Sequence, residues 1–68
     1  MYMLKKKELN KLLFKKKLNR ASLSKGAGIS IETINSWLYR DSMATRETVT
    51  KVANFLAVDI SDIFDGVK

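Results

Sequence analysis

Apolar residues recur along this chain at the spacing of short α-helices, not at the alternation of strands. The clearest stripe joins Val49, Val52 and Leu56, which would share one face of a helix. No stretch of the sequence predicts a strand, so we expect an all-α fold. The pattern predicts a single compact domain over residues 1–68 with five helices, at about residues 3–17, 20–27, 31–39, 46–56 and 60–64.

Short polar residues and glycines mark the ends of these helices. Gly28 follows the second helix, at a position where a left-handed residue is common. Gly26 lies inside that helix, where it costs about 1 kcal/mol relative to alanine. Side-chain oxygens just before a helix accept hydrogen bonds from the amides of its first turn. Four residues stand at such positions: Asn19, Ser30, Thr45 and Asp59.

The composition excludes several classes of protein. The 68 residues include no cysteine and no histidine, which removes disulfides and the common zinc sites. No glycine-rich phosphate loop is present either, so we expect no enzymatic activity, no metal and no cofactor. No apolar run is long enough to span a membrane, and no secretory signal is evident. A cytoplasmic location is expected.

The net charge of +6 is concentrated in one half of the chain. Residues 1–34 contain nine basic and two acidic residues, or +7, whereas residues 35–68 contain four basic and five acidic residues, or −1. An excess of this kind favours a polyanionic partner, either nucleic acid or an anionic membrane surface. Lysine-rich helix faces that are simply solvated are the alternative interpretation.

The helix predicted at 31–39 has a polar face suited to reading DNA bases. Asparagine can pair with adenine, glutamate can accept from cytosine, and serine can serve either role. Ile31 offers an apolar surface for a thymine methyl group. With the preceding helix and the turn at Gly28, this helix forms a helix-turn-helix pattern, although a solvated face remains the alternative. The polar residues are Glu32, Asn35 and Ser36.

Two stretches of the sequence resemble one family of DNA-binding domains. They are LNRASLSKGAGISIETINSWL, which begins at Leu18, and TVTKVANFLAVDISDIF, which begins at Thr48. From Leu9 to Phe64 the chain resembles the phage-repressor and Cro type of helix-turn-helix domain, the lambda repressor-like or XRE family. The resemblance implies a compact five-helix domain that binds double-stranded DNA with its third helix in the major groove.

The resemblance also assigns roles to individual residues. The implied base-reading residues are Ser30, Ile31, Glu32, Asn35 and Ser36. The implied phosphate contacts are Asn19 and Arg20 at the start of the second helix, the nearby Lys25, and Tyr39, Arg40 and Ser42 around the end of the third. Family members often dimerise through the last helix, which makes Val58, Ile60, Ile63 and Phe64 candidates for a homodimer interface, at least on DNA.

The predicted function is that of a sequence-specific transcriptional regulator, a repressor that occupies an operator in double-stranded DNA. Neither a small-molecule ligand nor a membrane is implied. One alternative is an antitoxin-like or other protein-binding module of the same fold, whose apolar end at residues 60–64 would grip a partner protein. Another is adhesion to anionic membranes, which would not depend on any DNA sequence.

The sequence departs from the family at several positions. Arg40 and Ala57 stand where the third and fourth helices usually end in glycine. Leu13 and Leu38 stand where many members pair an arginine on the first helix with a glutamate on the third. Exchanging a buried ion pair for an apolar contact is often neutral or stabilising, because burying charges costs hydration. We therefore expect Leu13 and Leu38 to be in contact.

We expect Leu38→Glu to lower the melting temperature. The new carboxylate would face Leu13 without the arginine that accompanies it in the family, so it would lose hydration without gaining a partner. Thermal unfolding followed by circular dichroism measures the change. An unaltered melting temperature would contradict the contact.

Overall fold

The computed structural model describes residues 1–66 and contains five short helices and one small sheet in that range. The last two residues of the predicted domain, 67–68, lie outside the described residues. None of the helices in the described part is long and apolar enough to cross a membrane. The helices are α1 Lys6–Lys15, α2 Arg20–Ala27, α3 Ile31–Tyr39, α4 Arg46–Leu56 and α5 Ile60–Ile63; the strands are β1 Tyr2–Leu4 and β2 Phe64–Gly66.

The sheet corrects the expectation of an all-α fold. Strands β1 and β2 pair antiparallel, with Tyr2 opposite Gly66 and Leu4 opposite Phe64. On its other side Tyr2 exchanges two backbone hydrogen bonds with Ala44, of 2.9 and 2.7 Å. The first helix therefore spans Lys6–Lys15 and not residues 3–17, and the last ends at Ile63, one residue earlier than predicted. The strand pairing gives backbone N–H and C=O groups at both ends of the described chain hydrogen-bond partners within the protein. If these segments formed extra helical turns instead, the groups at the ends of those turns would have only water as a partner.

The predicted bounds of the second, third and fourth helices are confirmed, and side-chain caps account for where each begins. Asn19 Oδ1 accepts from the amide of Ser22 over 2.8 Å. Ser30 and Thr45 accept from first-turn amides of α3 and α4 in the same way. Because a cap satisfies amides that have no partner within the helix, each of these residues stabilises one helix start.

The core lies where the helices meet the sheet. The Trp37 ring meets Phe64 edge to face, with ring centroids 5.4 Å apart and an interplanar angle of 89°. Both side chains are buried, with exposures of 3% for Trp37 and 1% for Phe64. The rest of the core comes from every helix, and its main members are Leu9, Leu13, Leu23, Ala27, Ile34, Val49, Val52, Leu56 and Ile63.

The expected contact between Leu13 and Leu38 is supported by where the two residues lie. Leu13 is buried, Leu38 is half-buried against the core, and both line one open groove along α1 and α3. Phe14 also lines this groove but is 87% exposed. An acidic group at position 38 would therefore lie in the same groove as the buried Leu13.

Within residues 1–66, three non-glycine residues adopt the left-handed conformation that usually favours glycine. Ala57 ends α4 with φ of 57°, at a position where the resembled family has glycine. Arg40, the other such position, has φ of −115°, and the left-handed residue after α3 is Asp41 with φ of 52°. Aspartate tolerates this conformation better than alanine does, so the strain is greater at Ala57.

We expect Ala57→Gly to stabilise the protein by roughly 0.5–1 kcal/mol. Glycine removes the clash of Cβ in the left-handed region. The greater freedom of glycine in the unfolded chain cancels only part of this gain. Thermal unfolding measures the effect. The matched control is Ala21→Gly, on an exposed helical position of α2, which should destabilise the protein because glycine is a poor helix former. Destabilisation by both substitutions would contradict strain at Ala57.

Gly26 has a packing role that its sequence position does not reveal. A Cβ built on Gly26 would overlap the ring of Phe55, which reaches across from α4. The glycine therefore lets an aromatic side chain lie directly on the backbone of α2. Its cost as a helix residue is offset by this close approach of the two helices.

We expect the effect of Gly26→Ala to depend on Phe55. In a Phe55→Ala background the alanine should stabilise the protein by about 1 kcal/mol, the ordinary helix preference. In the natural background the displaced ring should remove that gain or reverse it. Chemical denaturation of the four variants gives the coupling energy. Equal stabilisation in both backgrounds would show that the ring does not require the glycine.

Candidate nucleic-acid interface

A tight turn of three residues joins α2 to α3, and one serine holds it. Gly28 adopts φ of 72°, the left-handed conformation expected for it. The amides of Gly28 and Ile29 both donate to the carbonyl of Ser24, over 3.0 and 3.1 Å. The hydroxyl of Ser24 in turn donates to the carbonyl of Ile29. The sequence alone did not indicate this role of Ser24, because serine is common on helices for other reasons.

The buried face of α3 determines which residues it presents outwards. Ile34 and Trp37 are 0% and 3% exposed and fasten the helix to the core. Ile31 and Glu32, the first two residues of α3, are exposed. Ile31 is 39% exposed, so part of its apolar surface is open to a partner. An apolar side chain beside a carboxylate on an open surface suits the edge of a base pair.

The structure groups predicted base-reading residues with predicted phosphate contacts. One open depression along α3 is lined by Glu32, Asn35, Ser36, Tyr39 and Arg40. Asn35 and Ser36 are half-buried, so their side chains are partly ordered by their neighbours, whereas Tyr39 and Arg40 are exposed. The depression therefore combines short hydrogen-bonding groups with a cation and a phenol on the same helix.

Arg20, at the first position of α2, reaches across to α3. Its Nη1 donates to Asn35 Oδ1 over 2.9 Å and to the hydroxyl of Tyr39 over 2.8 Å. The guanidinium carbon lies 5.6 Å from the centroid of the Tyr39 ring, within the range of a cation–π interaction. Sequence reasoning placed Arg20 among the phosphate contacts and did not foresee these bonds, since they depend on how α2 and α3 cross.

The remaining predicted contact residues lie around this centre. The Asn19 oxygen is engaged in capping α2, and Ser30 shares a hydroxyl–hydroxyl hydrogen bond of 2.8 Å with Thr33. Lys25 is exposed in the last turn of α2. Ser42 is half-buried, and its amide donates to the carbonyl of Ser36 over 3.2 Å, which holds the loop after α3 against the helix.

Lys5 and Lys6, at the start of α1, are bonded within the protein. Lys5 Nζ donates to the carbonyl of Ser61 over 2.8 Å and lies 3.5 Å from the carboxylate of Asp65. Lys6 forms an ion pair with Asp41, on the loop after α3. Two of the first three basic residues of the chain therefore fasten β1 and α1 to neighbouring segments.

The candidate dimer residues divide into two pairs. Ile63 and Phe64 are each 1% exposed and fill the core of the protomer. Val58 and Ile60 are half-buried and pack against that core. Only the second pair therefore retains surface that a partner could cover.

Helices α2 and α3 are joined by a tight turn that Ser24 holds, and α3 has an open polar face. This arrangement defines a helix-turn-helix DNA-binding domain. Residues 8–68 match the family model described as the Cro/C1-type HTH DNA-binding domain. The chain therefore belongs to this family, as the resemblance predicted, and is a DNA-binding regulator. No curated protein gives a significant match.

Proposed function

We propose that this protein is a sequence-specific repressor that occupies an operator in double-stranded DNA, with α3 in the major groove. The observation that carries the proposal is the open depression on α3, where Asn35 and Ser36 lie beside Tyr39 and Arg40. Short neutral side chains can read base edges there, while cationic and phenolic groups around them meet phosphates.

Three residues of this face have different capacities for base contacts. Asn35 has both a donor and an acceptor, which suits it to a single base edge. Ser36 can donate or accept with a weaker preference. Glu32 accepts only, so it favours the amino group of cytosine and disfavours close phosphates, which excludes wrong sites more than it adds affinity.

The start of α2 supplies a second set of contacts, to the DNA backbone. Free amides and the positive end of the helix dipole favour a phosphate there. Arg20 uses Nη1 for both of its bonds within the protein, and a guanidinium has five N–H donors, so others can still reach a phosphate. Such contacts orient the domain on the duplex and increase affinity for every sequence.

Repression follows from occupancy of the operator. A second copy of the chain bound symmetrically would read a second half-site about one helical turn away. The half-buried Val58 and Ile60 are the candidate contacts for such a homodimer. The alternative of a protein-binding module relied on residues 60–64, and it is weakened because Ile63 and Phe64 are buried in the protomer itself.

Selection of bound sequences from random duplexes at physiological salt tests the proposal. A recovered motif supports sequence-specific binding, and a motif with two-fold symmetry supports the homodimer. Binding to all duplexes without a motif would contradict the proposed function. Binding to anionic vesicles without binding to duplexes would favour the membrane alternative.

We expect Asn35→Ala to reduce the discrimination at one base pair of the selected motif by about 1–3 kcal/mol, because a base-edge hydrogen bond is removed there. Kd values for duplexes that differ only at that pair measure the effect. The matched control is Asn54→Ala, an exposed asparagine on α4, which should leave every preference unchanged. Equal weakening of all duplexes by Asn35→Ala would contradict base reading.

A further inference from the structure

We propose that Arg20 is a positioning residue that fixes the orientation of the Asn35 carboxamide. It thereby determines which hydrogen-bonding groups of a base Asn35 can contact. This inference rests on the proposed function, since it assumes that Asn35 reads a base. It assigns to Arg20 a part in specificity in addition to the phosphate contact that the family resemblance implies. The effect is transmitted through Asn35, because Arg20 itself need not touch any base.

The chemistry of the two groups allows one orientation of Asn35. A guanidinium donates hydrogen bonds and accepts none, so only the carbonyl oxygen of a carboxamide can face it. The 2.9 Å bond from Arg20 Nη1 therefore holds Oδ1 on the side of α2 and directs Nδ2 away from it. Without this bond the terminal amide can turn over, since such a torsion has two broad and nearly equivalent states.

The Tyr39 side chain holds the guanidinium in place. Asn35 and Tyr39 are four residues apart and so lie on the same face of α3, where one nitrogen of Arg20 reaches both. The phenol hydroxyl accepts from this nitrogen over 2.8 Å, and the ring lies under the guanidinium at 5.6 Å. Two independent contacts to one aromatic residue restrict the otherwise flexible arginine.

An oriented carboxamide has a different preference from a freely rotating one. With Oδ1 bound to a cation, Asn35 offers the N–H groups of Nδ2 as its free donors. In the major groove these suit acceptors, namely purine N7, guanine O6 or thymine O4, and they oppose the amino group of cytosine. A carboxamide that can turn over would tolerate cytosine by presenting its oxygen. Arg20 therefore sharpens the discrimination against cytosine at this position.

The full chain and the selected duplex test this inference. Kd is measured for four duplexes that differ only at the base pair whose preference is lost in Asn35→Ala. For Arg20→Ala we expect the discrimination against cytosine at that pair to fall by roughly tenfold or more, the effect of one base contact. The double variant Arg20→Ala with Asn35→Ala should lose no more discrimination at this pair than Asn35→Ala alone.

Arg40→Ala is the matched control, because Arg40 is an exposed arginine of the same depression and is also a predicted phosphate contact. Both arginine variants should bind all duplexes more weakly and reduce the salt dependence by about one unit each. Only Arg20→Ala should change the preference at the Asn35 pair. Because Arg20, Tyr39 and Arg40 are exposed, the melting temperatures of both variants should remain close to that of the natural protein.

The outcomes separate this inference from the proposed function. Uniform weakening by Arg20→Ala, with the preference at the Asn35 pair intact, would overturn the positioning role and leave base reading by Asn35 standing. A natural protein that selects no motif, or an Asn35→Ala variant that alters no single pair, would overturn the proposed function and the inference with it.

Discussion

The burial of Ile34 and Trp37 on α3 is the constraint on which the rest of the interface depends. Once these two side chains are fixed in the core, the helical repeat decides which positions of α3 are open to a partner. Trp37 is held by an edge-to-face contact with Phe64, a residue of the last strand. The orientation of α3 therefore depends on a residue far away in the sequence.

The excess of basic residues serves several separate purposes. Lys5 and Lys6 form contacts that fasten the first strand and helix to Ser61, Asp65 and Asp41. Arg20 is hydrogen-bonded to Asn35 and Tyr39 of α3, and its charge is thereby kept near the depression on that helix. The net charge alone would have assigned all of these residues to a general attraction for polyanions. The contacts of Lys5, Lys6 and Arg20 show that these three residues also connect different segments of the protein.

Local patterns predicted the central part of the fold well, because capping and helical spacing are local properties. Asn19, Ser30 and Thr45 marked the true starts of their helices. The first strand was missed because three residues are too few for alternation to be visible, and its pairing partner lies at the other end of the described chain. The bond from Arg20 to Asn35 was missed for a related reason, since it depends on the crossing of two helices.

The pairing of Tyr2–Leu4 with Phe64–Gly66 has a consequence for how the protein folds. A contact between such distant segments cannot form on the ribosome until almost all of residues 1–66 has emerged. Closing so long a loop is also slow compared with forming a single helical turn. Helices α2 to α4 can therefore come together first. Phe64 then packs against Trp37 at a later stage. The edge-to-face contact that holds α3 through Trp37 is therefore among the last to form.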